Sequence, residues 1–211
     1  MGIMFSDRQQ YDSAAECYRQ VIELDPENQK ALFNLGIAYS HLDRADDAVN
    51  SYRILLDQDP VHEKGLNNLG VEFMKLERFD SALVYFGRLV GLTHDPQAYF
   101  NRARAYKELD SIDRARDDYR KAIQLQPDYA KAYHNLAIIE EESGDFPKAI
   151  ELLTKAIDLG ENDWKSHWKL GQIYVKLGVP DKARAEYDAA AKSHPASPKF
   201  EREYNELLKQ Q

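Results

Sequence analysis

The sequence predicts an all-α protein built as a solenoid of antiparallel helix pairs. The first observation is a small residue that recurs at intervals of 33 or 34 positions. The second is that alanine, aromatic and proline positions keep the same interval. A period of 34 residues is typical of repeats that each hold two helices and a turn. The small positions are Gly2, Gly36, Gly70, Ala103, Ala137 and Gly171.

Each of the other recurring positions has a structural reason. An aromatic side chain is expected to fill the gap between one repeat and the next, and proline ends the second helix because it has no N–H to donate. The alanine position is occupied by Ala14, Ala48, Ala82, Ala115, Ala149 and Ala183. The aromatic position is occupied by Tyr18, Tyr52, Phe86, Tyr119, Leu153 and Tyr187. The proline position holds Pro26, Pro60, Pro127 and Pro195.

These periods divide the chain into a single array. A partial repeat occupies residues 1–28 and lacks the first half of its first helix, which favours a chain cut from a longer array. Residues 197–211 are predicted to form a capping helix, because Ser197 and Pro198 suit a helix start and an apolar stripe follows. The full repeats are 29–62, 63–95, 96–129, 130–163 and 164–196.

The pattern resembles the tetratricopeptide-repeat (TPR) family over nearly the whole chain. The resemblance implies a right-handed superhelix whose first helices line a concave groove for protein segments. Two residues depart from the pattern: Arg102 stands where four other repeats carry leucine, and Glu140 stands where four carry an aromatic residue.

Charge and composition narrow the class of partner. The net charge is −8 over 211 residues, which disfavours non-specific binding to nucleic acid. No apolar run approaches the length of about 18 residues expected of a membrane-spanning helix, and there is no signal-peptide core. We therefore expect no nucleic acid, no membrane insertion and a cytoplasmic location. Cys17 is the single cysteine and is expected to pack rather than to react.

Catalysis would require residue patterns that this sequence lacks. There is no glycine-rich phosphate loop, no H-E-x-x-H pair and no G-x-S-x-G turn. The histidines fall in different repeats, without the short spacing of metal ligands. We therefore expect no enzymatic activity, no cofactor and no metal.

The first helix of each repeat carries the candidate binding residues. Asn34 lies roughly 200° around the helix from the inward-facing Leu32, so it must point away from the core. The same position gives a row of Asn34, Asn68, Asn101, Asn135 and then Lys169. A second row holds Lys30, Lys64, Lys131 and Lys165. Phe33, Phe100, Trp168 and Arg104 lie beside these rows.

The two rows allow more than one interpretation. A side-chain amide can pair with any peptide backbone, so the asparagines are first of all candidates for peptide contact; the alternative is that they bond neighbouring helices. The lysines favour an acidic partner or form a solvated rim. Because aromatic residues are the usual anchors of interfaces, we expect Trp168→Ala to weaken binding more than any single asparagine-to-alanine change. An alanine scan tests that order.

Three functions fit these observations. The leading one is an adaptor that binds an extended segment of another protein in the groove. The second is a self-assembling scaffold joined through the edge of the truncated first repeat. The third is a co-chaperone that binds acidic C-terminal tails: Asn135, Lys165 and Lys169 match three of the five positions of the family's carboxylate clamp, whereas Phe100 and Arg104 do not match the others.

Overall fold

The computed structural model describes residues 2–160 and 164–193, and this part of the chain is helical throughout, without strands. The predicted capping helix 197–211 lies outside the described residues. The described helices are α1 (Gly2–Leu24), α2 (Gln29–His41), α3 (Ala45–Gln58), α4 (Glu63–Lys75), α5 (Phe79–Leu92), α6 (Pro96–Glu108), α7 (Ile112–Leu125), α8 (Ala130–Glu142), α9 (Phe146–Leu159), α10 (Trp164–Lys176) and α11 (Pro180–Ser193). The all-α prediction is confirmed.

A tight three-residue turn joins the two helices of each pair. In every turn the middle residue has a left-handed backbone, and the next N–H donates to the carbonyl five residues earlier at 2.8–3.0 Å. This arrangement satisfies carbonyl groups that a helix end would otherwise leave without partners. The left-handed residues are Asp43, Glu77, Asp110, Gly144 and Gly178.

The partial first repeat folds as one continuous helix, α1, and not as half of a first helix followed by a second. Gln9 occupies the position that carries the left-handed residue in the other repeats. Glutamine is a good helix former and Gln10 follows it, so the chain continues through the expected turn without interruption. Cys17 lies on this helix and is exposed, which corrects the expectation that it packs.

The small and aromatic positions meet within each helix pair. A Cβ atom added to Gly70 would lie 2.4 Å from the Phe86 ring, and one added to Gly36 would lie 2.5 Å from Tyr52. Both rings are essentially fully buried. The aromatic side chain therefore packs against the small residue of its own pair, and the Tyr52 hydroxyl also accepts a hydrogen bond from Asn68 of the next repeat.

The chain divides into two compact units, residues 1–118 and 119–211. Unit 1 has a continuous core that includes Leu66, Leu69, Phe73 and Phe86. Unit 2 buries Ile139, Leu153, Ile173 and Tyr187, among others. Each unit thus has its own apolar interior.

Arg102, the departure from the leucine pattern, is accommodated by a buried partner within unit 1. Its guanidinium donates to both carboxylate oxygens of Asp118, at 2.7 and 2.8 Å, from α6 to α7. The hydrogen bond to Asp118 raises the pKa of Arg102. A bidentate ion pair therefore takes the place of apolar packing in this helix pair.

Candidate functional site

Unit 1 presents candidate residues from α2, α4 and α6. Lys30 and Lys64 are exposed in the first turns of α2 and α4. Asn34 is half-buried, and its side chain makes no hydrogen bond to the described residues. Arg104 is exposed and has no ion-pair partner in the described part of the chain. These four side chains are available to a ligand.

The other asparagines of unit 1 belong to an internal amide network. Asn68 donates to the Tyr52 hydroxyl at 3.2 Å, and its own oxygen accepts from Asn67 at 3.3 Å. Asn101 donates to Asn67 at 2.9 Å and accepts from Gln97 at 3.0 Å. Asn101 is only 5% exposed. The asparagine row is therefore partly structural, because these bonds join α4 to α3 and α6 to α4.

The Tyr52 hydroxyl at the start of this network is neutral at physiological pH. Burial raises its pKa to about 12, and the bond from Asn68 only partly opposes that rise. The hydroxyl can therefore both accept a hydrogen bond and donate one.

The aromatic candidates of unit 1 differ in accessibility. Phe33 is half-buried, with its ring centroid 6.0 Å from that of Tyr52 and 5.4 Å from that of His62. Phe100 is only 6% exposed, which corrects the expectation that it is an accessible anchor on this surface. Residues on one helical stripe can share a direction and still differ in burial, because a neighbouring helix covers some of them.

A charged cluster that sequence reasoning missed lies between α2 and α4. Glu72 is 2% exposed, and its Oε1 accepts from Ser40 at 2.6 Å and from Lys75 at 2.8 Å. Lys75 also donates to Ser40 at 2.7 Å. The signal was present in the sequence: Glu72 occupies a position that is Ala38, Ala105, Ile139 and Ile173 in the other repeats.

Two pockets open beside α4 in unit 1. The larger, about 450 Å³, has apolar walls from α4 and α5 and carries Arg104 and Asn101 on its α6 side. The smaller, about 290 Å³, lies between α2 and α4 and is lined by Ile37, Ser40, His41, Tyr52, Asn68, Val71 and Glu72. Both have room for a side chain of a bound segment.

Unit 2 presents its candidates from α8 and α10. Lys131 and Lys165 are exposed, and the Lys165 ammonium lies 5.7 Å from the Trp164 ring centroid. Asn135 is half-buried and makes no side-chain hydrogen bond to the described residues. Trp168 is half-buried, with its ring centroid 4.7 Å from that of Tyr187. The indole thus packs against Tyr187 and keeps some accessible surface.

Lys169 is held by an internal carboxylate. Its ammonium lies 2.6 Å from Oε2 of Glu141, and the Lys176 ammonium lies 2.6 Å from Oε1 of the same residue. The Glu141 side chain is 2% exposed. Burial raises the pKa of Glu141, but the hydrogen bonds from Lys169 and Lys176 outweigh burial, so the pKa lies below its ordinary value. The carboxylate is therefore charged at neutral pH.

The first helices differ in charge from the chain as a whole. The helices α2, α4, α6, α8 and α10 carry ten basic and six acidic residues, a net charge of +4, whereas the chain carries −8. Three of the six acids, Glu72, Glu140 and Glu141, are buried beside basic partners. The accessible charge of these helices is therefore mainly positive.

The described residues contain no group of three His, Cys, Asp or Glu side chains that could hold a metal ion. Within the same residues, no helix has the length and apolar character needed to cross a membrane.

Four models of tetratricopeptide families match the chain. Two models described as "Tetratricopeptide repeat" match residues 95–162 and 134–198, a third with that description matches 30–60, and one described as "TPR repeat" matches 2–43. Together they cover well over half of the sequence. No curated protein matches the chain in a sequence comparison.

Solved structures share this fold across nearly their whole length. MamA is 25% identical, with 76% of this chain and 95% of that chain aligned at a TM-score of 0.69. YrrB, a TPR protein with an unusual peptide-binding site, is 16% identical, with 86% and 94% aligned at a TM-score of 0.66. Pseudomonas aeruginosa pilF is 16% identical, with 99% of each chain aligned at a TM-score of 0.75. The two likenesses at 16% identity show the fold alone.

Proposed function

The chain belongs to the tetratricopeptide-repeat family, and from this premise we propose that it is a non-catalytic adaptor that binds an extended segment of another protein. The segment is acidic in part, and it binds to exposed residues of the first helices. Solenoid repeats of this kind offer extended surfaces of stacked helices to their partners. YrrB, which shares the fold, has a peptide-binding site.

The observation that carries the proposal is the separation of charge between the first helices and the rest of the chain. A net charge of +4 on five helices in a chain of net charge −8 favours encounter with a negatively charged segment. The exposed members of the lysine row, Lys30, Lys64, Lys131 and Lys165, recur in the first turns of four of these helices.

Amide contacts alone would not hold the segment. A net hydrogen bond contributes roughly 0.5–1.5 kcal/mol, and ordering one peptide residue costs roughly 1–2 kcal/mol of backbone entropy. Apolar anchors must therefore supply the surplus. Phe33 in unit 1 and Trp168 in unit 2 are both half-buried and are the candidate anchors, while the unbonded amides of Asn34 and Asn135 would position the backbone.

A paired pull-down from lysate of the source cells tests the proposal. One bait carries Lys30→Glu, Lys64→Glu, Lys131→Glu and Lys165→Glu. The control bait carries four charge reversals at exposed positions of second helices: Arg53→Glu, Lys155→Glu, Arg184→Glu and Lys192→Glu. Both baits have the same net charge, and circular dichroism checks that both are folded.

Mass spectrometry should then find partners that bind the unmodified chain and the control bait but not the lysine-row bait. If the two variants lose the same partners, the effect is one of net charge and the proposed surface is wrong. Partners retained by both variants would place binding elsewhere on the molecule.

Binding of acidic C-terminal tails is a weaker candidate. Of the clamp residues predicted from the sequence, Lys169 is engaged by Glu141 at 2.6 Å, and Phe100 is buried where the clamp has a lysine. A titration with an acidic C-terminal peptide should therefore show no specific binding that depends on the terminal carboxylate.

Self-association is a second candidate, favoured by two exposed apolar residues on α1. Leu24 is 89% exposed and Val21 is 39% exposed. Light scattering over a range of concentrations tests it, with Val21→Glu/Leu24→Glu as the matched variant. A concentration-independent monomer in both proteins would exclude this candidate.

A further inference from the structure

Glu72 is a charged residue at a position where the other full repeats place apolar residues in the core. The equivalent residues Ala38, Ala105, Ile139 and Ile173 are all at most 2% exposed. Glu72 is as deeply buried, at 2%. Burying a carboxylate is costly unless each oxygen finds a partner, so its presence here needs a reason.

Only half of this carboxylate is satisfied inside the protein. Oε1 accepts from Ser40 and Lys75, whereas Oε2 is buried and has no hydrogen-bond partner among the described residues. Glu72 also lines the smaller pocket, of about 290 Å³, between α2 and α4. An incompletely satisfied, buried anion therefore forms part of the wall of a cavity large enough for a side chain.

The rest of the pocket is suited to a long side chain with a cationic end. Ile37 and Val71 provide apolar surface for an aliphatic stem. Glu72 and Tyr52 line the same pocket, and a carboxylate oxygen and a hydroxyl oxygen can both accept a hydrogen bond. Lysine and arginine combine such a stem with a donor-only head group.

We propose that this pocket binds the ammonium or guanidinium group of a basic side chain, which donates to Oε2 of Glu72. The source of that side chain rests on the proposed function: it is a basic residue within the otherwise acidic segment that the first helices hold. The pocket thus selects among acidic segments, because only those with a basic residue at the right place satisfy Glu72.

Lys75 shows that the site accepts an ammonium group. Its own ammonium occupies the Oε1 side of the carboxylate at 2.8 Å, and its side chain is 46% exposed. It neutralises Glu72 when no ligand is bound, and it repels a second cation. Removing its charge while retaining its stem, as in Lys75→Met, should therefore strengthen binding at the pocket.

Small amines test the pocket without any protein partner. The probes are n-butylammonium and n-butylguanidinium, followed by NMR of the backbone amide of Val71 and the side-chain amide of Asn68. n-Butanol supplies the same stem without the charge, and glycinamide supplies an ammonium without the stem. We expect saturable shifts with both butyl cations, at least tenfold weaker binding of n-butanol, and no binding of glycinamide.

Two variants sharpen the measurement. Glu72→Gln preserves the shape of the side chain and should weaken n-butylammonium binding about tenfold, and Lys75→Met should strengthen it several-fold. Equal binding of n-butanol and n-butylammonium, or an unchanged affinity in Glu72→Gln, would show that Oε2 is satisfied by water alone and overturn the inference. If Glu72→Gln fails to fold, the probe comparison on the unmodified chain and on Lys75→Met still decides.

The outcome is separable from that of the adaptor proposal. If the butyl cations bind and the lysine-row bait nevertheless keeps all its partners, the pocket inference is supported and the proposed adaptor surface is wrong. Glycinamide binding as tightly as n-butylammonium would assign the pocket to the amino terminus of a chain rather than to a side chain, and would contradict the inference as stated.

Discussion

The first helices of the two units use equivalent positions for different chemistry. In unit 1, Lys75 on α4 reaches back to Ser40 on α2. In unit 2, Lys176 on α10 reaches back to Glu141 on α8, which occupies the position equivalent to Ser40. The lysine is the same in both units, but the residue that it reaches on the preceding first helix is a neutral serine in unit 1 and a buried carboxylate in unit 2. In unit 1 the lysine also donates to a buried carboxylate, Glu72, on its own helix.

The rest of each surface follows the same contrast. Unit 1 joins α6 to α4 through two amides that carry no charge, because Asn101 donates to Asn67. Unit 2 places Trp168 where unit 1 has Asn67, and Lys169 where it has Asn68. The repeating backbone supplies the same positions, and the side chains at those positions decide whether one first helix is joined to the next through neutral residues or through an ion pair.

The largest expected effect concerns whether the two units unfold separately. Phe86→Ala removes a fully buried ring from unit 1 and should cost about 3–5 kcal/mol of unfolding free energy there. Both tryptophans, Trp164 and Trp168, lie in unit 2 and report that unit alone. The variant should therefore lower the urea midpoint seen by circular dichroism more than the midpoint seen by tryptophan fluorescence.

Leu153→Ala in unit 2 is the matched control, since Leu153 is also fully buried. It should move the fluorescence transition directly. If the circular dichroism and fluorescence transitions coincide in both variants, the chain unfolds as one cooperative unit. The two units would then not differ in stability.

The buried ion pair of unit 1 gives the next largest effect. Asp118→Leu leaves Arg102 without its partner and should cost about 2 kcal/mol, less than for a fully buried pair because Arg102 is 21% exposed. The double change Arg102→Leu/Asp118→Leu restores the leucine of the other repeats and should recover most of that loss. Urea denaturation of the unmodified chain, Asp118→Leu and the double variant measures the loss of stability and its recovery. A double variant no more stable than Asp118→Leu would contradict the packing argument.

Acid should weaken unit 2 through Glu141. The folded-state pKa of this carboxyl lies below its ordinary value of 4.5, so between the two values the unfolded chain binds more protons. The free energy of unfolding therefore rises with pH in that range. The stabilisation is complete above the ordinary pKa and is lost as the pH falls through the folded-state pKa. Glu141→Gln should cost about 1 kcal/mol at neutral pH and flatten this acid dependence.

Urea unfolding followed by tryptophan fluorescence, between about pH 3 and pH 7, measures the effect. Asp158→Asn is the control, because Asp158 is an exposed acid of the same unit. If the free energy of unfolding falls equally steeply with decreasing pH in Glu141→Gln and in the unmodified chain, other carboxyl groups govern the acid dependence.

The smallest effect separates the two kinds of asparagine in unit 1. Asn101→Ala breaks two hydrogen bonds of a buried amide and should cost about 1 kcal/mol. Asn34→Ala removes an amide that makes no side-chain bond to the described residues and should change stability by less than about 0.5 kcal/mol. Equal losses in thermal unfolding would show that Asn34 is structural as well.

Much of the fold could be predicted from residue spacing. The all-α class and the family are confirmed. Both could be predicted because helical periodicity and the contact of a small residue with a ring, such as Gly70 with Phe86, recur at a fixed interval in the sequence. The continuous helix α1 could not be predicted from the period, since the repeat pattern implies a turn at Gln9 whereas local helix propensity continues through it.

The candidate site was less predictable. The direction of each row followed from helical geometry, but the burial of Phe100 and the engagement of Lys169 depend on helices distant in sequence. The binding roles of the lysine and asparagine rows stay predictions. Glu72 was detectable as a charged residue in an apolar column, although its incomplete hydrogen bonding was not.

The sequence by itself determined that this protein is an array of helix pairs, because the contacts inside each pair recur at a constant interval and depend on residue size alone. The tertiary structure decided which polar residues are left for a partner. A side chain becomes available or engaged according to what the adjacent repeat places opposite it. Asn34 and Asn101 share one sequence position, yet Asn101 is buried and bonded to Asn67 of the preceding repeat, whereas Asn34 makes no side-chain bond to the described residues.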